Sequence, residues 1–180
     1  MRKLPVAVLD ACVLVPMPLA DTLLRLAEPP GLYQARWSNH ILDEVTRTLI
    51  GRFGKSPEKA RYREAAMREF FTNSIVVNYE PLIAEMTNHP KDRHVLAAAV
   101  ACRADCVVTF NLKDFPPALD QHEIEVIGPS TFLKRLSDLD RAVVEERLSG
   151  QAAAIGMSID GLLERLAASV PGFVSSLRKL

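Results

Sequence analysis

The stretch from His89 to Phe115 constrains the fold more than any other part of this chain. It opens on His-Pro-Lys-Asp-Arg-His and continues through Val-Leu-Ala-Ala-Ala-Val-Ala. After a short polar turn it returns as Cys-Val-Val-Thr-Phe-Asn-Leu-Lys-Asp-Phe. Proline is tolerated in a helix first turn, where its missing N–H would have no partner, and alanine is the strongest helix former. The spacing therefore predicts a helix over Pro90–Arg103 and a strand over Cys106–Phe110. In a parallel αβ sheet the start of a returning helix and the end of the next strand share one edge. Asp92 and the polar cluster Thr109–Asp114 are thus expected at that edge.

The rest of the chain repeats the alternation. Val6–Asp10 is a short apolar run ending in an acid and reads as the first strand. Leu19–Glu28 has helical spacing and stops at Pro29-Pro30-Gly31. Leu32–Trp37 reads as a second strand, and Ser38 is a good N-cap for a helix over Asn39–Ile50. Ser56-Pro57-Glu58 opens another helix reaching about Phe71. Ile75–Tyr79 is a third strand, Pro81–Thr87 a short helix, Glu125–Ile127 a fifth strand, and Pro129–Leu136 starts a closing helix. Such alternation predicts an α/β fold, a doubly wound, mostly parallel sheet with helices on both faces. From Leu136 onward the pattern is helical, with a helix start at Ser158-Ile159-Asp160 and a break at Pro171-Gly172. We expect a domain over 1–136 and a helical C-terminal extension over 137–180.

Composition narrows the setting. Of the 180 residues, 48% are hydrophobic and 24% charged, the balance of an ordinary globular domain. Net charge is zero, so attraction to nucleic acid has to come from a local patch. Cys12, Cys102 and Cys106 form no CxxC pair and no zinc set, which reads as free thiols in a reducing compartment. No apolar stretch approaches the roughly 18 residues a spanning helix needs, and Met1–Pro5 carries no secretory core. The expected location is the cytoplasm, with no membrane partner.

Asp10 ends the first strand, Asp114 follows the fourth, and Asp92 lies in the first turn of the helix between. Glu44 lies in the second turn of the helix after the second strand. There Ile41, Leu42, Val45 and Leu49 form the apolar stripe at about 100° per residue. Glu44 flanks that stripe, whereas Asp43 points away to water. Taken singly, each acid has an ordinary role as a cap, turn or helix-surface residue. Their convergence is less easily ordinary, because neighbouring carboxylates repel unless a cation neutralises them. Mg²⁺ or Mn²⁺ suits an all-oxygen site and supports phosphodiester hydrolysis. Thr109 and Asn111 either support that site or complete a turn. His94 reads as a helix-surface residue. The one strongly basic stretch carries Arg47, Arg52, Lys55 and Lys59, a candidate RNA-backbone contact or a solvated helix face. Aromatic residues look too scattered for a stacking platform, and Phe70, Phe71 and Phe115 read as core.

At these residues the chain resembles the PIN-domain family, in particular the VapC-type toxins of bacterial toxin–antitoxin modules. The matching pieces are Val8-Leu9-Asp10-Ala11-Cys12-Val13-Leu14, Trp37-Ser38 with Ile41-Leu42-Asp43-Glu44-Val45, Pro90-Lys91-Asp92-Arg93-His94, and Val108 through Phe115. Ile127-Gly128-Pro129-Ser130 and Phe132-Leu133 extend the likeness to about residue 136. Each motif is short; their order and spacing give the specificity. The resemblance implies a Mg²⁺- or Mn²⁺-dependent endoribonuclease with Asp10, Glu44, Asp92 and Asp114 as its acidic quartet. It further implies Thr109 and Asn111 as a polar pair, an RNA substrate, a homodimer and an inhibitory antitoxin. Many members carry a further acid where Asn111 stands, which leaves Asn111 and Asp114 as alternatives for the outer position. Two other functions compete. A non-catalytic RNA- or partner-binding module would keep the fold alone. An aspartyl-phosphate phosphotransferase would need a second Asp where Cys12 stands.

Overall fold

The computed structural model describes residues 4–115 and 123–178. Five strands form one parallel sheet: β1 (Val6–Leu9), β2 (Gln34–Ser38), β3 (Ile75–Val76), β4 (Cys106–Val108) and β5 (Glu125–Ile127), in the order β3-β2-β1-β4-β5. Every residue of β1 and β4 is buried, as expected of central strands covered on both faces. The chain winds outward from β1 to β3, then crosses back to β4 on the other side of β1. Right-handed crossovers running in opposite directions place helices on opposite faces, and the crevice at the reversal, between β1 and β4, is where such sheets bind ligands.

Four helices fill the first half: α1 (Ala11–Leu14), α2 (Leu19–Ala27), α3 (Asn39–Gly51) and α4 (Pro57–Phe70). The expected caps are present, with the Ser38 hydroxyl accepting from Ile41 N at 3.2 Å and the Ser56 hydroxyl from Lys59 N at 3.3 Å. The return crossover is α5 (Arg93–Ala101), whose alanine face packs on β1, β2 and β4. A 3-10 turn over Pro90–Asp92 precedes it, so the predicted helix divides in two where Asp92 leaves α geometry. The predicted helix at Pro81–Thr87 is likewise a 3-10 segment, Glu80–Glu85. β4 stops two residues early because the Thr109 hydroxyl turns back onto Asp10. β3 is only two residues long, and Asn78, with φ of 60°, turns the chain off the sheet edge. Phe115 is buried and Phe71 half-buried, whereas Phe70 is 76% exposed at the last turn of α4 and is not core.

The closing helices are α6 (Pro129–Leu139), α7 (Arg141–Ala154), α8 (Ile159–Ala167) and α9 (Pro171–Arg178). The helical reading of the tail holds, and its apolar residues join the core built on the sheet. Val144, Leu148, Leu162, Leu166 and Phe173 belong to the same buried cluster as Leu9 and Val108. Two polar ties reinforce the packing. Thr22 donates to Gln151 Oε1 at 2.8 Å inside the α2–α7 contact, and Gln151 Nε2 donates to Pro18 O at 3.1 Å. Phe173 N donates to the Ser130 hydroxyl at 2.9 Å, joining α9 to α6. No helix among the described residues is long and apolar enough to cross a membrane.

Candidate active site

Asp10 leaves β1 at the reversal of the sheet, its N–H bonded to Val108 O at 3.1 Å. The side chain is 3% exposed. Two donors converge on one oxygen, Oδ2: the Thr109 hydroxyl at 2.6 Å and the Cys12 thiol at 3.2 Å. Thr109 Oγ1 in turn accepts from Asn111 N at 3.0 Å, and Cys12 Sγ accepts from Phe110 N at 3.3 Å. The loop after β4 is thereby stitched to the residues after β1, and the Asp10 carboxylate has a fixed rotamer. Burial, and then the neighbouring Asp10 charge, push the Cys12 thiol up to about 12, so this sulfur remains protonated and serves as a donor.

Asp92 is 4% exposed, at the junction between the 3-10 turn and α5. Its Oδ2 is buried and has no hydrogen-bond partner. Burial, reinforced by the charge of Asp10 and to a lesser extent by Asp114 and Glu44, raises its proton affinity to about 6, with Lys91 opposing. The Lys91 ammonium lies 3.0 Å from Asp114 Oδ2 and 3.8 Å from Asp92 Oδ2. That ammonium holds the Asp114 carboxyl below its ordinary range.

Glu44 reaches the same cleft from the second turn of α3 and is partly exposed. Its Oε2 stands 3.3 Å from His94 Nε2. The contact is close enough for charge attraction but not aligned as a hydrogen bond, since neither ring nitrogen of His94 has a bonded partner. The His94 imidazole lowers the proton affinity of Glu44, against the effect of burial. His94 is not the surface residue its sequence position suggested. It is 4% exposed in the first turn of α5 and stacks on His40 with ring centroids 3.8 Å apart.

Asp10, Glu44, Asp92 and Asn111 line one cleft of about 490 Å³, together with Cys12, Thr48, Arg52, Phe53, Lys91 and Phe110. Asp114 does not line it and is joined to it through Lys91 and through its carbonyl, which accepts from His89 N at 3.0 Å. The basic stretch separates. Arg52 lines the cleft, Arg47 lines a neighbouring depression with His40 and Tyr79, and Lys55 and Lys59 are exposed beyond α3. Arg63 turns inward and donates to the carbonyls of Leu14 and Val15.

The donor chemistry fits a hard divalent cation. The acids offer oxygen ligands only, and Asp92 presents a buried oxygen with no hydrogen-bond partner, only the Lys91 ammonium at 3.8 Å. Among the described residues no three such side chains already stand close enough together to hold an ion. The Lys91 ammonium places one positive charge between Asp92 and Asp114.

The PIN domain pattern matches residues 6–113, which takes in β1, α3, Asp92 and the start of the loop after β4 but stops short of Asp114. The chain belongs to the PIN-domain family. Over 146 residues this PIN domain protein is 36% identical to a protein of Mycobacterium tuberculosis named "Putative ribonuclease VapC50", an alignment covering 76% of this chain and 86% of that one. No solved structure matches it. The sequence reading of the PIN domain missed three contributors: Lys91, Cys12 and the pair Phe53 and Phe110. Lys91 was legible in principle, since it directly precedes Asp92. Cys12 and Phe110 meet through loop closure between residues about a hundred positions apart, whereas Phe53 follows from how the end of α3 closes beside the cleft.

Proposed function

We propose that this PIN domain is a divalent-metal-dependent endoribonuclease, the toxin of a toxin–antitoxin pair. The observation that carries the reading is the buried Oδ2 of Asp92, without a hydrogen bond, in a cleft shared with Asp10 and Glu44. A fold gains nothing in stability from such a group, so a ligand supplied from outside is its physical justification. The relative named as a ribonuclease supports the same assignment.

Asp10, Glu44 and Asp92 would hold the Mg²⁺ or Mn²⁺ ion, with Asp114 and Asn111 in the surrounding shell. When bound, that ion acidifies an attacking water and neutralises charge on the scissile phosphate. Thr109 and Cys12 hold Asp10 in one orientation, so little reorganisation is needed on binding. The buried His94 ring, 3.3 Å from Glu44 Oε2, would limit the positions that carboxylate can take. Arg52, on the wall of the cleft, binds a phosphate of the RNA backbone, and Arg47, Lys55 and Lys59 extend that contact outward. The partners on this reading are RNA, a cognate antitoxin and a second copy of the chain, all in the cytoplasm.

The test is cleavage of mixed RNA by the purified protein in Mg²⁺, in Mn²⁺ and in chelator, alongside Asp10→Asn and Asp92→Asn. Cleavage should require the ion and fall at least a hundredfold in either variant, about 3 kcal/mol of transition-state stabilisation. Full activity in chelator, or in both variants, would refute the assignment.

A further inference from the structure

His40, Glu44 and His94 meet between α3 and α5. His94 is 4% exposed, and neither ring nitrogen has a hydrogen-bond partner among the described residues. An imidazole carries two hydrogen-bonding nitrogens, and leaving both unmatched inside a fold is costly. Nε2 nevertheless stands 3.3 Å from Glu44 Oε2 without the alignment of a hydrogen bond. Zinc takes imidazole nitrogen and carboxylate oxygen at about 2.0–2.2 Å, so two such ligands in tetrahedral geometry stand about 3.3 Å apart. The separation and the missing alignment both fit a pair of ligands facing one ion. His40 offers a third. It precedes Glu44 by four residues on α3, the spacing that puts two side chains on one helix face. Its ring lies on that of His94, with centroids 3.8 Å apart and 15° between the planes. Parallel rings present their nitrogens side by side, so His40 has to turn to reach an ion held by His94 and Glu44. The residue is exposed and lines an open depression of about 610 Å³, so it turns without displacing packed groups. The same depression is an entry path and leaves room for a water as fourth ligand.

We propose that His40, Glu44 and His94 form a binding site for Zn²⁺, separate from the all-oxygen site and sharing Glu44 with it. The ligand types decide the ion. Imidazole nitrogen favours Zn²⁺ over Mg²⁺, which keeps to oxygen ligands and holds several of its waters. Asp10 and Asp92 offer only oxygen and suit the second kind of ion; the two histidines suit the first. Glu44 stands between the two sets, lining the cleft with Asp10 and Asp92 while its Oε2 faces His94. A zinc ion on the histidines draws that carboxylate toward α5 and competes with the Mg²⁺ or Mn²⁺ ion for it. Zinc is therefore an inhibitor that acts without displacing anything from Asp10 or Asp92. The binding site stands on its own residues; the inhibition rests on the nuclease reading proposed above.

Binding and inhibition are tested separately on the full-length protein, freed of metal by chelator and then placed in excess Mg²⁺. Calorimetric titration with Zn²⁺ should show one ion per chain, bound with similar affinity by the parent and by Asp10→Asn. His40→Gln and His94→Gln should each weaken that binding at least about tenfold. His40 is exposed, so His40→Gln should unfold at the parent's temperature in chelator and keeps the test decisive even if His94→Gln fails to fold. Zinc affinity unchanged by His40→Gln would overturn the proposal. So would zinc binding that is lost in Cys12→Ser or Asp10→Asn and kept in His40→Gln, which would put the ion in the cleft itself. In RNA cleavage at fixed Mg²⁺, the zinc concentration for half-inhibition should rise about tenfold in His40→Gln relative to the parent. Equal inhibition of the two proteins would refute the competition for Glu44. Absent cleavage by the parent, with the histidine dependence of zinc binding intact, would instead count against the nuclease reading alone.

Discussion

Replacing Asp92 by Asn should make the ion-free protein more stable while disabling it. The Asp92 carboxyl has its ordinary value at 3.8 when unfolded and about 6 in the fold. The folded state therefore holds its proton more tightly, and folding is opposed wherever the group must ionise. Below about pH 4 the carboxyl is protonated in both states and carries no penalty. The penalty grows between about pH 4 and 6 and is complete above that. Two pH units at ~1.4 kcal/mol each would give about 3 kcal/mol. The carboxyl lines the cleft with the Lys91 ammonium 3.8 Å away, so roughly 1–3 kcal/mol is the expected gain at pH 7.5. For a chain of this size that raises Tm by roughly 3–10 °C. Thermal unfolding in chelator at pH 7.5 and at pH 3.5 reads it directly. The variant should melt higher at pH 7.5 and level with the parent at pH 3.5. Added Mn²⁺ should narrow the gap by stabilising only the parent. A variant less stable at pH 7.5, or one equally shifted at both pH values, would refute the electrostatic account of this site.

Two further outcomes follow from other contacts. Thr22→Val leaves Gln151 Oε1 buried without its donor and should cost about 1–3 kcal/mol in denaturant unfolding, whereas adding Gln151→Leu should recover part of the loss. An uncoupled pair, with additive single losses, would contradict the buried bond. Native Cys12 should resist iodoacetamide at pH 8, because its thiol titrates at about 12. Asp10→Asn should speed that alkylation by removing a neighbouring negative charge, and mass mapping of the labelled cysteine would expose the opposite result.

Much of the candidate site was legible because its acids occupy positions that the αβ alternation indexes. Asp10 lies at a strand end, Asp92 in a helix first turn, and Glu44 on the flank of an amphipathic stripe. The caps at Ser38 and Ser56 were legible for the same local reason, a hydroxyl three residues before an N–H with no other partner. His94 was misread because helical spacing gives direction but not depth. It lies beside a run of alanines so small that α5 sinks against the sheet and takes His94 with it. Phe70 was misread for the converse reason: a large apolar side chain in the last turn of α4 found nothing to pack on. The tail was legible as helix, but its packing was not, since the Thr22–Gln151 bond links residues 129 positions apart.

The sequence by itself determined the alternation of strands and helices, hence a parallel sheet with its acids at one edge, because periodicity and capping are local properties of the backbone. Only the tertiary structure decided which acids share the cleft. It seated Asp10, Glu44 and Asp92 there with Asn111, left Asp114 outside on Lys91, and gathered Phe53 and Phe110 onto the wall. Those outcomes depend on how far loops close and how deep helices pack. They are balances of burial, repulsion and hydrogen bonding between distant residues, and no spacing along the chain encodes them.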